Sequence, residues 1–302
     1  MGTISIVMAT YNGAKYLSEQ IDSILSQTIS NFELIICDDC STDETWIVLE
    51  DYALKDNRIK LFRNNENLGF KKNFEKALTL CSGDYIALSD QDDIWTPNHL
   101  ELLYTHIGDK MVVCGNAEMI GSDGESLGLT LQELESFNYV PDDNLQLASS
   151  VIFFRNPFQG ASMMIKKSFL KYALPIPESI KYHDSWFSNL SPFCGGIAYT
   201  TEIVNKYRMH GKNVTGMRIT PRSKIKTLGS HLLLARTALE RKVVVMCVLE
   251  RISKRICPET TFLKEVLKKL NRASSMTGRF RNGFYLMSHY KTIFNADSSH
   301  WF

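Results

Sequence analysis

Three aspartates in the first third of the chain could bind a metal cation. Asp90, Asp92 and Asp93 lie within four positions, directly after the apolar run 85–88. That run indicates a buried strand, so the carboxylates lie where the strand ends. Burying unpaired carboxylates is costly, and a Mg²⁺ or Mn²⁺ ion held by one or two carboxylates and substrate phosphates would remove most of that cost. The alternative is a solvated acidic turn, since Asp is common in turns.

Strands and helices alternate ahead of this acidic cluster. Hydrophobic periodicity predicts strands at 4–9, 33–37, 59–62 and 85–88, and helices at 14–27, 41–54 and 71–80, the second of them opened by the capping box Ser41-Thr42-Asp43-Glu44. Such an alternation is typical of βαβ units and predicts an α/β fold with a parallel sheet covered on both faces. Further strands are predicted at 111–114 and 198–206, and 121–145 is predicted to be an irregular excursion.

Polar clusters follow each of the first four predicted strands. They are Thr10-Tyr11, Asp38-Asp39, Asn67 and the acidic residues 90–93. Ligands of open α/β sheets bind beyond the carboxyl ends of the strands, so these clusters are expected to converge on one site. The first strand is not followed by G-x-G-x-x-G, and there is no Walker A lysine loop, which argues against a dinucleotide enzyme or a P-loop ATPase.

Charge divides the chain unequally. Residues 1–220 carry a net charge of −10 and residues 221–302 a net charge of +11, so we expect two regions with a boundary there. Helices are predicted at 225–248 and 261–270, followed by a tail that mixes cationic and aromatic residues. That mixture favours an amphipathic segment on anionic lipid, and the alternatives are a helical appendage on the main domain or an oligomer contact. No motif supports nucleic-acid binding.

Cysteine usage and the N-terminus predict a cytoplasmic protein. The seven cysteines are an odd number at irregular spacing, as expected of reduced thiols. Cys37 and Cys40 form a C-x-x-C without a second pair, so neither a zinc site nor a redox site is expected. No secretory signal is visible, and the apolar run 243–249 is too short to span a bilayer.

A resemblance to a known family rests on seven ordered motifs. They are SIVMATYNG, IICDDCSTDET, NENLGFKKNFEKAL, GDYIALSDQDDIW, FQGASMMIKK, YHDSWF and YRMHGKNVTG. Together, over about residues 3–217, they resemble the family 2 glycosyltransferases of GT-A fold. The form SDQDDIW is similar to bacterial polysaccharide and O-antigen sugar transferases, including rhamnosyltransferase-like members. The resemblance implies a single Rossmann-like catalytic domain at 1–220 with a mostly parallel sheet. Residues 221–302 fall outside it, and their own pattern predicts a helical extension.

The resemblance implies that the strand ends bind a nucleotide-sugar donor. Tyr11 would line the base, and either Asp38 or Asp39 would accept a hydrogen bond from its imide. Lys72 would contact the ribose or diphosphate, or else lie on a solvated helix face. The implied donor-binding residues are Thr10, Tyr11, Asn12, Asp38, Asp39, Asn67, Lys72, Asn73, Asp90, Gln91 and Arg208.

The resemblance also implies a metal site and a sugar site. Asp90-Gln91-Asp92 is similar to the family's DxD motif, with Asp92 and His210 as metal ligands and Arg208 at the phosphates. An imidazole ligand favours Mn²⁺ over Mg²⁺. The residues implied at the acceptor or donor sugar are Asp93, Gly160, Ala161 and His183, while Trp95 is expected to pack.

The implied catalytic residue is Asp184. As general base it would take the proton from an acceptor hydroxyl that attacks the anomeric carbon, with inversion, although an Asp here could instead be a helix N-cap. The role of His183 is open, because many family members have Glu at this position. A loop at 211–218 would close over the donor.

The implied substrates are a UDP- or dTDP-sugar and a polyprenyl-diphosphate-linked saccharide at the cytoplasmic face of the inner membrane. One sugar would be added, because the Gln-x-x-Arg-Trp motif of processive members is absent. Two other classes of function stay open from the sequence: a nucleotidyltransferase that makes activated sugars, and a non-catalytic nucleotide-sugar-binding protein. A homo-oligomer is also possible.

Overall fold

A computed structural model describes residues 2–135, 151, 156–211, 238–252, 263, 264, 266 and 267. Its first ninety residues alternate strands and helices as predicted. The elements are β1 Ile4–Thr10, α1 Ala14–Leu25, β2 Phe32–Asp38, α2 Thr45–Lys55, β3 Ile59–Arg63, α3 Phe70–Thr79 and β4 Tyr85–Ser89. Helix α2 begins at Thr45, four residues later than predicted. The Asp43 carboxylate, which lies ahead of the helix, accepts hydrogen bonds from the amide and the hydroxyl of Thr45 at this start.

The second half of the described chain is less regular. Its elements are β5 Ile94–Trp95, α4 His99–Ile107, β6 Val112–Ile120, β7 Ser126–Thr130, α5 Leu131–Glu135, β8 Met163–Lys166, α6 Leu170–Ala173, α7 His183–Leu190, β9 Ile197–Arg208 and α8 Ala238–Ile252. Short 3₁₀ turns lie at Gly160–Ser162, Lys167–Phe169 and Ser191–Phe193. The segment expected to be an irregular excursion therefore contains β7 and α5, and its residues beyond 135 lie outside the described residues.

One mixed sheet runs through the protein in the order β3-β2-β1-β4-β8-β6-β9-β5, with β7 paired to β6. The strands β3, β2, β1 and β4 are parallel, which confirms the α/β prediction for this half. Beyond β4 the sheet continues with β8, which is antiparallel to both β4 and β6. Antiparallel neighbours need no crossover helix, so alternation along the chain carries no signal for them.

Each face of the sheet is covered by helices over an apolar core. On β1, Ile6 and Met8 belong to one core cluster and Val7 to the other, as expected where successive side chains point to opposite faces. Helices α1, α2 and α4 cover the first face, and α3, α7 and α8 cover the second.

Helix α8 is part of that second core. It buries Val244, Val245, Val248 and Ile252. The Arg251 guanidinium donates to the carbonyl oxygens of Tyr172, Leu174 and Pro175 at 2.7 Å. This described part of the basic region is thus a helix packed on the main domain. The predicted helix at 225–248 is described only from 238, and the basic aromatic tail lies outside the described residues. None of the described helices is both long and apolar enough to cross a bilayer.

Glu33 lies near the amino end of β2, and its side chain links the first strands at their amino ends. Its carboxylate accepts hydrogen bonds from the Ser5 hydroxyl, the Ser82 amide and hydroxyl, and the Lys60 ammonium, at 2.5–2.7 Å. Partial burial alone would raise the pKa of Glu33, but the hydrogen bonds from Lys60, Ser5 and Ser82 outweigh it and lower the pKa to about 2.

Replacing this carboxylate should cost stability without touching activity. Because the folded pKa is below the ordinary 4.5, the stabilisation is present above pH 4.5 and is lost as the pH falls towards 2. We expect Glu33→Gln to lower the melting temperature by about 3–6 °C at pH 7, with a difference that shrinks below pH 4.5. Thermal unfolding across pH measures this, with exposed Glu50→Gln as the control. An equal difference at pH 3 and pH 7 would contradict it.

Candidate active site

A cavity of about 900 Å³ opens at the carboxyl ends of the parallel strands. Register brings these ends level, because Thr10 pairs with Asp38, and Met8 with Ser89. All four polar clusters expected from the sequence contribute to its wall. The predicted site residues that line it are Thr10, Tyr11, Asn12, Asp39, Asn67, Asn73, Asp90, Gln91, Asp92, Gly160, His183, Asp184 and His210. Its volume is in the range of small-molecule sites.

The turn after β1 presents an aromatic ring to this cavity. Tyr11 is 46% exposed. Its amide donates to Gln91 Oε1 at 2.9 Å, and its carbonyl accepts from Gln91 Nε2 at 3.1 Å, so the Gln91 side chain holds the turn rather than pointing away from it. Gly13 makes this possible, since a Cβ there would lie 2.2 Å from Gln91 Oε1. Asn12 takes a left-handed backbone conformation and accepts a hydrogen bond from the Thr42 amide.

The two aspartates after β2 have different surroundings. Asp38 is fully buried and does not line the cavity. It accepts hydrogen bonds from Thr10 and Ser41 and lies 3.5 Å from Arg63 Nε. Asp39 lines the cavity and accepts from the amides of Leu68 and Gly69 at 2.8 Å. Asp39 is therefore the aspartate that faces the cavity, and it is the one of the two that could accept a hydrogen bond from a nucleotide base.

The start of α3 places two neighbouring lysines outside the cavity. Lys72 Nζ lies 3.5 Å from Glu178 Oε1 on the surface, in agreement with the solvated-face alternative rather than with a contact to the ligand. Lys71 Nζ donates to the carbonyl oxygens of Pro177, Glu178 and Ile180, so it fixes the segment that leads into α7.

Asn73 lines the cavity, but its amide is already occupied. Its Nδ2 donates to the Cys37 carbonyl at 2.7 Å, and its Oδ1 accepts from Asn64 at 2.9 Å. Asn73 therefore joins α3 to the end of β2 instead of offering a free amide to a ligand.

Asp92 and His210 form a close side-chain pair in the cavity wall. His210 Nε2 lies 2.8 Å from Asp92 Oδ2, and the His210 ring stacks on Tyr16 with centroids 5.0 Å apart. Removal from water and the nearby carboxylates Asp92 and Asp184 raise the pKa of Asp90 to about 7. The Asp90 carboxylate and the neighbouring Asp92–His210 pair together form a set of donor atoms that suits a divalent cation. Within the described part of the chain, no three His, Cys, Asp or Glu side chains could hold a metal by themselves, so further ligands would have to come from a substrate.

Asp93 and Arg208, both predicted to contact ligand, are buried behind this pair. Arg208 is 1% exposed, and Asp93 is fully buried. The Arg208 guanidinium donates to the carbonyl oxygens of Asp92 and Ser122 and pairs with Glu19. Asp93 accepts from the Arg208 amide at 3.0 Å, and burial beside Asp92 and Asp90 raises its pKa. The two side chains thus hold the loop between β4 and β5, which contains Asp92, against β9, and they do not face the cavity.

Asp184 lies in the first turn of α7 and lines the cavity. The N-cap of this helix is Tyr182, without a side-chain cap, so Asp184 is not the capping residue. Gly160 lies against it: a Cβ on Gly160 would be 2.9 Å from His183 Nε2 and 3.5 Å from Asp184 Cβ. Ala161 is buried in the adjacent 3₁₀ turn and does not line the cavity.

Several cavity residues were not among the predicted site residues. They include Lys15, Tyr16, Phe70, Phe74 and Tyr182. Lys15 is the one lysine or arginine among the described residues of the wall, and its ammonium donates to the Tyr16 hydroxyl at 2.9 Å. Its position in the first turn of α1, two residues after Gly13, was the available signal for a cation near the site.

The sequence and the fold together define the class of protein. Residues 5–171 match the family model described as Glycosyl transferase family 2, which is more than half of the chain. The chain therefore belongs to this family, and it is a glycosyltransferase. This confirms the family expected from the motifs and removes the support for the nucleotidyltransferase and non-catalytic alternatives.

Curated relatives give more particular likenesses. An uncharacterized glycosyltransferase of Haemophilus influenzae is 28% identical over 221 residues, covering 71% of this chain and 68% of the relative. UDP-Glc:alpha-D-GlcNAc-diphosphoundecaprenol beta-1,3-glucosyltransferase WfgD of Escherichia coli is 37% identical over 122 residues. That match covers 40% of this chain and 47% of WfgD, less than half of its length.

Solved structures show the same fold. Staphylococcus aureus TarS in complex with UDP-GlcNAc has a TM-score of 0.60 at 19% identity, covering 91% of this chain and 73% of that one. The mannosyltransferase PcManGT of Pyrobaculum calidifontis, in complex with GDP-Man and Mn²⁺, has a TM-score of 0.54 at 15% identity, covering 98% and 88%. At these identities the likeness concerns the fold alone, and it confirms the GT-A architecture.

Proposed function

We propose that this chain transfers a single sugar, with inversion, from a UDP- or dTDP-sugar to a polyprenyl-diphosphate-linked saccharide in bacterial surface polysaccharide synthesis. The observation that carries the proposal is the juxtaposition, in one cavity, of the Asp184 carboxylate with the Asp92–His210 pair. The first is placed to handle a proton, and the second is suited to a cation beside a diphosphate. Both lie where α/β sheets bind their ligands.

The donor nucleotide would lie at the ends of β1 and β2. The exposed Tyr11 ring offers a stacking surface, and the Asp39 carboxylate can accept a hydrogen bond from the imide of uracil or thymine. Lys15 would supply the cationic side chain for the diphosphate, a role that the resemblance implies for Arg208 but that the burial of Arg208 prevents. Asn67 lies in the wall between this region and α3.

Asp92 and His210 would hold a divalent cation, with Mn²⁺ favoured over Mg²⁺ because one ligand is an imidazole. When bound, such a cation supplies charge stabilisation for the departing nucleoside diphosphate. Asp93 and Arg208 serve this site indirectly, because they hold the backbone of Asp92 against β9.

Asp184 would act as the general base. It removes the proton from an acceptor hydroxyl while that oxygen forms a bond to the anomeric carbon. The bond from that carbon to the diphosphate oxygen breaks, and its electron pair leaves with the nucleoside diphosphate. Attack from the face opposite the leaving group inverts the anomeric centre.

The relatives and the charge pattern support the proposed acceptor and the proposed location. WfgD is named for a GlcNAc-diphosphoundecaprenol acceptor, which supports a lipid-linked saccharide here. The net charge of +11 on residues 221–302 supports contact with the anionic cytoplasmic face of the inner membrane. Neither proposal requires a nucleic acid, and a homo-oligomer stays a prediction.

A donor panel tests the proposed function. UDP-, dTDP- and GDP-linked hexoses are offered with Mn²⁺, with GlcNAc-diphosphate-undecaprenol as the acceptor. We expect a UDP- or dTDP-sugar to raise the melting temperature, because a ligand that binds only the folded state stabilises it, and to yield free nucleoside diphosphate. Release of pyrophosphate, or donor binding without turnover across the panel, would contradict the proposal.

A further inference from the structure

Tyr16 is a cavity residue that contacts both the proposed cation pair and the proposed diphosphate lysine. It is the third residue of α1 and precedes Leu17, which is fully buried in the core. Neighbouring residues of a helix point in different directions, so the Tyr16 ring lies at the edge of the buried face and reaches the cavity wall. Its amide donates to the Gly13 carbonyl at 3.1 Å, so the ring is carried by the first turn of a helix and not by a loop.

The ring of Tyr16 supports the His210 imidazole. The two rings are stacked, with centroids 5.0 Å apart and planes inclined by 26°. His210 follows the last residue of β9 by two positions and belongs to no helix or strand, so regular backbone structure does not fix the direction of its ring. Two contacts therefore orient this imidazole: Asp92 Oδ2 lies 2.8 Å from its Nε2, and Tyr16 lies against its face.

The hydroxyl of the same tyrosine holds Lys15. Lys15 Nζ donates to the Tyr16 hydroxyl at 2.9 Å and lies 4.6 Å from the centroid of the ring. A lysine ammonium sits on a flexible stem, so these contacts limit where its charge can lie. An ammonium has three donors, and Lys15 can therefore keep the hydroxyl as a partner while it donates to phosphate oxygens.

Arg208 fixes the Tyr16 ring from the side of β9. The guanidinium carbon of this buried arginine lies 4.7 Å from the centroid of the ring. The same guanidinium pairs with Glu19, which lies one helical turn after Tyr16 on α1. A cation against an aromatic face is worth more where it is removed from water. Arg208 thus ties α1 to β9 at the position of the ring.

We propose that Tyr16 is a positioning residue for the transfer reaction, whose ring orients His210 towards a divalent cation and whose hydroxyl holds Lys15 beside the diphosphate. The inference rests on the proposed function and adds to it a residue that acts on both charges facing the leaving group. Replacing residues that orient metal ligands typically lowers metal affinity by about 10- to 100-fold. The two roles can be separated experimentally, because one belongs to the ring and the other to the hydroxyl.

The ring is tested by the affinity for Mn²⁺. Tyr16→Phe keeps the ring, whereas Tyr16→Leu removes it and preserves a good helix former. The Kd of Mn²⁺ is measured on the full chain at saturating UDP, from the electron paramagnetic resonance of the free ion, so no turnover is needed. We expect Tyr16→Leu to raise this Kd by about 10- to 100-fold and Tyr16→Phe to leave it within about threefold.

Tyr52 offers a matched control. Its hydroxyl also bonds α1, at Asp22 Oδ1 with a distance of 2.7 Å, but it lies outside the cavity wall. Tyr52→Leu should therefore keep the native Kd of Mn²⁺. Melting temperatures show that each variant is folded, and Tyr16→Met takes the place of Tyr16→Leu if the latter does not fold.

The hydroxyl is tested by the preference for UDP over uridine monophosphate, measured by calorimetry without Mn²⁺. This preference reports on the second phosphate and hence on Lys15. Both Tyr16→Phe and Tyr16→Leu should reduce it by about 2- to 10-fold, the value of one hydrogen bond. Tyr52→Phe should leave it unchanged.

A double variant shows whether the ring acts through His210. If it does, adding Tyr16→Leu to His210→Ala should change the Kd of Mn²⁺ by less than about threefold, because the residue that Tyr16 orients is already gone. A further loss as large as that of Tyr16→Leu alone would mean that the two residues act independently, and it would overturn the inference.

The other outcomes divide the inference from the proposed function. Native Mn²⁺ affinity in Tyr16→Leu, or an equal loss in Tyr16→Phe, would overturn the role of the ring, and an unchanged preference for UDP in Tyr16→Phe would overturn that of the hydroxyl. The proposed function would stand in each case. If the native chain bound no Mn²⁺ with UDP present, or if His210→Ala bound it as the native chain does, the proposed cation site would fail and the inference with it.

Discussion

Asp184→Asn is expected to slow sugar transfer by about 10²- to 10⁴-fold while leaving nucleotide binding intact. An amide cannot take the acceptor proton, but it nearly matches the carboxylate in shape. The Oδ1 atom of Asn can still accept the hydrogen bond that the Ser185 amide gives to Asp184 Oδ1, so α7 should begin as before. The loss should therefore appear in kcat and not in the melting temperature.

The measurement is the release of nucleoside diphosphate under saturating donor, together with the calorimetric Kd for UDP. Asp109→Asn is the control, because that carboxylate is exposed and lies outside the cavity. A variant at Asp184 that retained activity within tenfold of the native enzyme would show that another group accepts the proton.

Asp92→Ala is expected to remove the dependence of UDP binding on Mn²⁺ and to lower the transfer rate by about 10²- to 10³-fold. The Asp92 side chain meets His210 in the cavity, whereas its backbone carbonyl accepts the hydrogen bond from Arg208. The substitution therefore removes the proposed metal ligand but keeps the hydrogen bond from Arg208 to the backbone carbonyl at position 92.

Calorimetric titration of UDP with and without Mn²⁺ tests this without reference to turnover. The native protein should bind UDP more tightly with Mn²⁺, and Asp92→Ala should bind it equally with and without the ion. Asp51→Ala, on exposed α2, should behave as the native protein. Persistence of the Mn²⁺ effect in Asp92→Ala would place the cation elsewhere.

Local patterns along the chain were enough to predict the parallel half of the sheet and the edge where the cavity lies. The strands β1 to β4 each show apolar runs separated by amphipathic helices, and each is followed directly by polar residues. Because parallel strands present their carboxyl ends at one edge, Tyr11, Asp39 and Asp90 come together without any further information.

Contacts between distant parts of the chain left no such signal. Arg208 looked like a phosphate ligand beside His210, but its guanidinium pairs with Glu19, which lies 189 positions earlier. The contact between Phe70 and Tyr182 in the cavity wall is equally non-local, since the two residues belong to separate segments that Lys71 holds together. Periodicity describes neighbours within one element and says nothing about such pairings.

The alternation of side chains at the end of β2 limits the choice between Asp38 and Asp39. Asp38 is the last residue of β2, in register with Thr10, and its side chain turns into the protein. Adjacent residues at a strand end point in opposite directions, so only one of the two could face the ligand. Which one it is depends on contacts from other segments. Ser41, in the loop before α2, and Arg63, at the end of β3, both contact the Asp38 carboxylate.

The most direct test of the central claim is a crystal structure of the protein with Mn²⁺ and UDP, recorded with anomalous scattering. We predict a manganese peak coordinated by Asp92 and His210, the diphosphate beside it, and the uracil against Tyr11 and Asp39. A peak at another place in the protein, or UDP bound outside this cavity, would contradict the account.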